Sequence, residues 1–91
     1  PSIDVLFETA ADAYLEQVIG VILTGANHDG ARGLAKIEAY GGFTIVQEPS
    51  TAICSTMPKA AITAVPKAKI LPLTEIAPFL INLCSNAHLT Y

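Results

Sequence analysis

Charge is scarce in this chain. Only 14% of its 91 residues are Asp, Glu, Lys or Arg, where a soluble domain usually has roughly a quarter. Bases are scarcest of all: five Lys and Arg stand against eight Asp and Glu, for a net charge of −3. No basic patch is available for a phosphate backbone, so nucleic acid is not an expected partner. Tryptophan is absent and methionine occurs once. The two cysteines, Cys54 and Cys84, are too few for a disulfide framework and lack the spacing of a metal site. A reducing, cytoplasmic setting is the expectation, with no metal and no cofactor. Continuous apolar stretches such as residues 21–23 are far too short to span a bilayer, so no membrane insertion is expected. The opening Pro1, Ser2, Ile3 and Asp4 show neither a basic start nor an apolar leader, so no signal peptide is visible.

Apolar residues, by contrast, are plentiful at 52%. Low charge with many apolar residues argues against disorder. A chain this short forms one small domain or part of one, and small domains bury a smaller share of their surface. The apolar excess therefore predicts a covered surface. An oligomer or a missing neighbour is needed, or the chain is a piece of something larger.

Periodicity predicts alternating elements. Ile3, Leu6, Phe7, Ala10, Ala13 and Tyr14 recur at helical spacing, with Asp4, Glu8, Asp12 and Glu16 forming an i, i+4 acidic row that reads as a solvated face. Residues 18–24 are apolar without alternation, the pattern of a parallel strand covered on both faces. Residues 31–40 read as a helix, with Ala31, Leu34 and Ile37 on one side, stopped by Gly41 and Gly42. Residues 43–47 are a second, β-branched strand. A third helix opens at Met57 and Pro58 and ends at Pro66. Residues 69–71 form a short edge strand before Pro72. A last helix is expected from an N-cap at Thr74, with Ile76, Phe79, Leu80 and Leu83 on one face and Cys84 as core; residues 85–91 show no clear period. This order predicts an α/β fold, a doubly wound and mostly parallel sheet with helices on both faces. So few strands make a poor sheet, so residues 1–91 read as part of a single domain rather than a complete one.

In open α/β sheets, ligands gather at the carboxyl ends of strands. The segment Thr24-Gly25-Ala26-Asn27-His28-Asp29-Gly30-Ala31-Arg32-Gly33 occupies such a place. Gly25 and Gly30 have P-loop spacing, but Ala31 and Arg32 stand where Lys and Ser or Thr belong, and the dinucleotide pattern fails at Asn27. His28 and Asp29 lack the rest of a metal-ligand set. Asp29 carries two open readings. One is a capping or loop-bracing carboxylate, a common task for Asp. The other is the acid that orients the His of a Ser-His-Asp triad. Ser50, Ser55 and Ser85 are present, but none sits in a nucleophile elbow, and Cys54 reads as a small packed hydrophobe.

At this loop the sequence resembles the catalytic domain of the chemotaxis protein-glutamate methylesterases. The family's T-G-M-G-x-D-G-A-x-G pattern is matched by residues 24–33. The likeness continues through Gly41-Gly42-Phe43-Thr44-Ile45-Val46-Gln47-Glu48-Pro49-Ser50, Met57-Pro58-Lys59-Ala60-Ala61 and the opening Pro1-Ser2-Ile3-Asp4-Val5-Leu6-Phe7. Four blocks in the same order cover residues 1 to about 80. The resemblance implies that Asp29 is the triad acid, and that the catalytic Ser and His lie upstream of everything seen here. The chain would be the C-terminal half of the domain, inactive by itself. His28 and His88 do not match the family's catalytic His. Ala26 and Asn27 replace a Met-Gly pair beside the family's oxyanion hole. A backbone donor survives a change to Ala, and Asn accepts a positive φ better than most residues. The implied partner is a methylated chemoreceptor, with a phosphorylation-controlled receiver domain in the parent protein. The isolated chain is expected to self-associate. The competing expectation is a non-catalytic interaction module that keeps the fold.

Overall fold

The computed structural model describes residues 3–24 and 29–88. Among them, strands β1 (Ile19–Ile22), β2 (Phe43–Gln47) and β3 (Lys69–Leu71) form one sheet in the order β1-β2-β3. Both pairings are parallel, with Ile19 opposite Phe43 and Ile45 opposite Lys69. The helices are α1 (Ile3–Tyr14), α2 (Ala31–Ala39), α3 (Thr56–Ala64) and α4 (Leu73–His88). This is the doubly wound arrangement expected from the alternation of elements.

The two faces of the sheet are covered unequally. On one face α1, α2 and α3 close a core of Ala11, Ile22, Leu34, Ile37, Val46, Ala61 and Val65, with Phe7 and Met57 packed against it. On the other, α4 brings Ile76, Phe79 and Leu80 onto Ile45, Leu71 and Val21. The rings of Phe43 and Phe79 meet there at 5.7 Å. This helix lies mainly over β2, so among the described residues the same side of β1 is covered only at Val21: Ile19 is 38% and Leu23 42% exposed. The expectation of a strand covered on both faces is thus met on the α2 side and, through Val21, only in part on the α4 side.

Three other expectations are corrected. The buried side of α1 holds Asp4 and Ala11, whereas Leu6 and Tyr14 of the anticipated apolar stripe are exposed. Three members of the acidic row, Asp4, Glu8 and Asp12, face α2, although Asp12 and Glu16 remain exposed to solvent as expected. Arg32 reaches Glu8 (3.2 Å) and Asp4 (3.8 Å), and Lys36 reaches Asp12 (3.2 Å). Charges of opposite sign at i, i+4 spacing on α1 and α2 thus meet where the two helices pack. The last helix starts at Leu73, two residues earlier than an N-cap at Thr74 implies, and continues to His88, with Pro78 inside it. A helix of 16 residues is about 24 Å long and overhangs a strand of five, roughly 17 Å. Cys84, near the end of this helix, is exposed rather than core.

Candidate active site

Asp29 sits between β1 and α2, and its carboxylate reaches the start of α1. The Ile3 N–H donates to Oδ2 at 2.7 Å and the Asp4 N–H donates to Oδ1 at 3.2 Å. The first N–H groups of a helix have no partner within it, so Asp29 caps α1 from across the molecule. The exchange is reciprocal. Asp4 Oδ1 accepts from the N–H groups of Gly30 (3.0 Å) and Gly33 (2.7 Å) at the start of α2. Gly30 has no side chain to cap its own helix, and its φ of +105° suits glycine. Gly33 makes the crossing close enough: a Cβ there would lie 2.7 Å from Phe7 Cβ and 2.9 Å from the Asp4 carbonyl oxygen. The bracing reading of Asp29 is therefore realised in its contacts, though on α1 rather than on the adjacent α2. A braced carboxylate is also what a triad acid must be.

A second cluster joins the exits of the three strands. Gln47, the last residue of β2, is 1% exposed. Its Oε1 accepts from the Thr24 N–H (3.0 Å), and its Nε2 donates to Thr51 Oγ1 (3.2 Å). Thr51 Oγ1 also accepts from the Leu73 N–H just beyond β3 (3.3 Å). The Thr24 hydroxyl donates to the Cys54 carbonyl (2.8 Å) and accepts from the Cys54 N–H (2.7 Å). Nothing in the sequence marks Gln47, Thr24 or Asp4 for these tasks, because each acts on a residue more than twenty positions away.

Ala26 and Asn27, the anticipated oxyanion-loop residues, lie outside the described residues, as do Gly25 and His28. Ser50 donates both its N–H and its hydroxyl to Glu48, within the short turn Pro49–Thr51. It serves as local bracing there. Among the described residues no three His, Cys, Asp or Glu side chains gather as a metal site would require. None of the described helices is long and apolar enough to cross a membrane.

Residues 1–80 match the model of the CheB methylesterase family. The chain belongs to that family. A Leptospira interrogans relative named as a protein-glutamate methylesterase/protein-glutamine glutaminase is 54% identical over 94% of the chain and 45% of its own length. A Cupriavidus pinatubonensis relative with the same two activities in its name is 46% identical over 94% of the chain and 25% of its own length. The crystal structure of the Thermotoga maritima CheB methylesterase catalytic domain superposes with a TM-score of 0.85 at 36% identity, covering 91% of this chain and 44% of that one. The chain thus spans less than half the length of these relatives, and its fold is an incomplete part of the CheB catalytic domain.

Proposed function

We propose that this chain is the C-terminal part of a protein-glutamate methylesterase, and that Asp29 is the acid of its Ser-His-Asp triad. The observation that carries this reading is the fixed carboxylate at the exit of β1, gripped by two backbone N–H groups of α1. A triad acid is a carboxylate held in place so that it can accept from the imidazole of the His. Asp29 would hold that imidazole in the productive tautomer and stabilise its protonated form. The Ser and His come from the remainder of the domain.

In the reaction, the Ser oxygen attacks the carbonyl of a glutamate methyl ester while the His takes its proton. The His then protonates departing methanol, and water releases glutamate from the acyl-enzyme. The backbone N–H of Ala26, next to Asn27, would help hold the tetrahedral oxyanion. The second activity in the relatives' names is the same acyl transfer with ammonia as leaving group. The substrate is a methylated chemoreceptor, met in the cytoplasm. The Leptospira and Cupriavidus matches span 86 residues each yet differ in share, 45% against 25%. The Cupriavidus protein is therefore much the longer, with room for a further domain such as a receiver. Residues 1–91 alone supply no complete triad and are expected to hydrolyse no ester.

The capping geometry also favours a second reading, an interaction module in which Asp29 only braces α1. Methanol release from methylated receptor by the protein carrying the complete domain separates the two. As a triad acid, Asp29→Asn loses about 10⁴-fold in kcat. Unchanged turnover by that variant would sink the triad reading.

A further inference from the structure

Helices α1 and α2 have exchanged their capping residues. Asp29 stands directly ahead of Gly30, the N-cap of α2. An Asp there ordinarily bonds its own helix, because its carboxylate reaches N–H groups two or three residues on. Both of its oxygens instead engage α1, at the Ile3 and Asp4 N–H groups. The α2 donors go to Asp4, whose Oδ1 takes the Gly30 N–H at 3.0 Å and the Gly33 N–H at 2.7 Å. Gly33 is the third residue of α2, the position that a capping side chain commonly serves. Asp4 lies 26 and 29 positions from these partners, is buried, and belongs to the first turn of another helix. Its Oδ2 faces Arg32 at 3.8 Å, while Oδ1 serves the two N–H groups. The Gly30 N–H is part of the peptide unit that joins Asp29 to Gly30. One oxygen of Asp4 therefore fixes the backbone of Asp29, while the N–H groups of α1 fix its carboxylate.

We propose that Asp4 is a positioning residue of the triad: by capping α2 in place of Asp29, it keeps the Asp29 carboxylate turned to α1 and available to the catalytic imidazole. This rests on the assignment of Asp29 as triad acid. Without the Asp4 carboxylate, the Gly30 and Gly33 N–H groups lose this acceptor, and a buried donor left unmet is costly. Asp29 is the carboxylate next to them in the chain, and it then turns to its own helix, a local bond that Asp forms readily. That turn carries the acid away from the imidazole. Misplacement of a reacting group by about 1 Å costs about 10²-fold in rate. Ground-state binding of the receptor segment does not depend on the triad acid and is unaffected.

The test uses the protein with its complete catalytic domain. Asp4→Ala is expected to lower kcat by about 10²-fold at unchanged KM, with cooperative unfolding retained. Asp4→Asn, which keeps an oxygen in the place of Oδ1, is expected to hold most of the wild-type kcat. Added to Asp29→Asn, Asp4→Ala is expected to cost no further activity, because the group that it positions is already lost. A general structural role would lower kcat in both backgrounds alike. Should Asp4→Ala fail to fold, Asp4→Glu and Asp4→Asn decide: Glu keeps the charge but displaces the oxygen, and is expected to lose kcat where Asn does not. Wild-type kcat in a folded Asp4→Ala, equal kcat in Asp4→Glu and Asp4→Asn, or the same loss from Asp4→Ala with and without Asp29→Asn overturns the proposal. An inactive Asp29→Asn beside a fully active Asp4→Ala rejects the Asp4 role alone, and an active Asp29→Asn rejects the triad on which it stands.

Discussion

Asp4 is a buried carboxylate in a helix whose other acids are on or near the surface. Its Oδ1 serves two N–H groups of α2, and its backbone N–H serves Asp29. Asp4→Ala leaves both α2 donors without that acceptor and should cost about 2–3 kcal/mol, at the upper end for a lost cap. Asp4→Asn keeps an oxygen in the same place and should cost distinctly less. Chemical denaturation of the two variants checks this, and equal losses would show that charge rather than hydrogen bonding matters at the site. Gly33 belongs to the same contact, because its missing side chain is what admits the Asp4 backbone. The motif made Asp29 legible as a candidate from sequence. Its actual partners were not, because Ile3 and Asp4 lie 26 and 25 positions away and no local rule pairs them.

At the scale of elements, strands β2 and β3 were legible to the residue. β2 is β-branched and follows the Gly41-Gly42 stop, and β3 ends before Pro72. Helix α1 was misread in rotation, because its apolar residues wrap nearly around it and the choice of face is made by α2. Exposed ion pairs contribute little strength, about 0–1 kcal/mol each. Arg32 and Lys36 matter more for which side of α1 they accept. Lys36 has its pKa raised above the ordinary 10.5, chiefly by the hydrogen bond to Asp12 and further by the charges of Asp12, Tyr40 and Glu8, against an opposing desolvation. Protonated lysine is therefore favoured in the folded state. The contribution is fully present below the ordinary lysine pKa and lost as pH rises through the raised one. The stability gap between wild type and Lys36→Met should stay constant from neutral pH to about pH 9 and narrow above about pH 10.5. A gap that narrows near neutrality would assign the pair a different role.

For the molecule as a whole, the excess of apolar residues has a location. Part of it lies along β1 and its neighbour β2, where Ile19, Leu23 and Phe43 are part exposed, while Ile53, Leu6 and Tyr14 are exposed elsewhere. β1 is also the terminal strand of the described sheet, and an unpaired apolar edge templates association. The isolated 91-residue chain should self-associate in sedimentation equilibrium, and a complete domain should not. A monodisperse monomer with cooperative unfolding would contradict this. That the chain is an incomplete part of a domain was legible from composition and strand count, whereas the partial cover of β1 follows from the seat of α4 over β2. The capping of α1 by Asp29 has one more consequence, for protein engineering. Because the Ile3 N–H bonds directly to Asp29, any polypeptide joined ahead of Ile3 enters the molecule beside that carboxylate. The upstream part of the domain takes that place, so an affinity handle belongs after α4, attached through the helix that packs on the opposite face of the sheet.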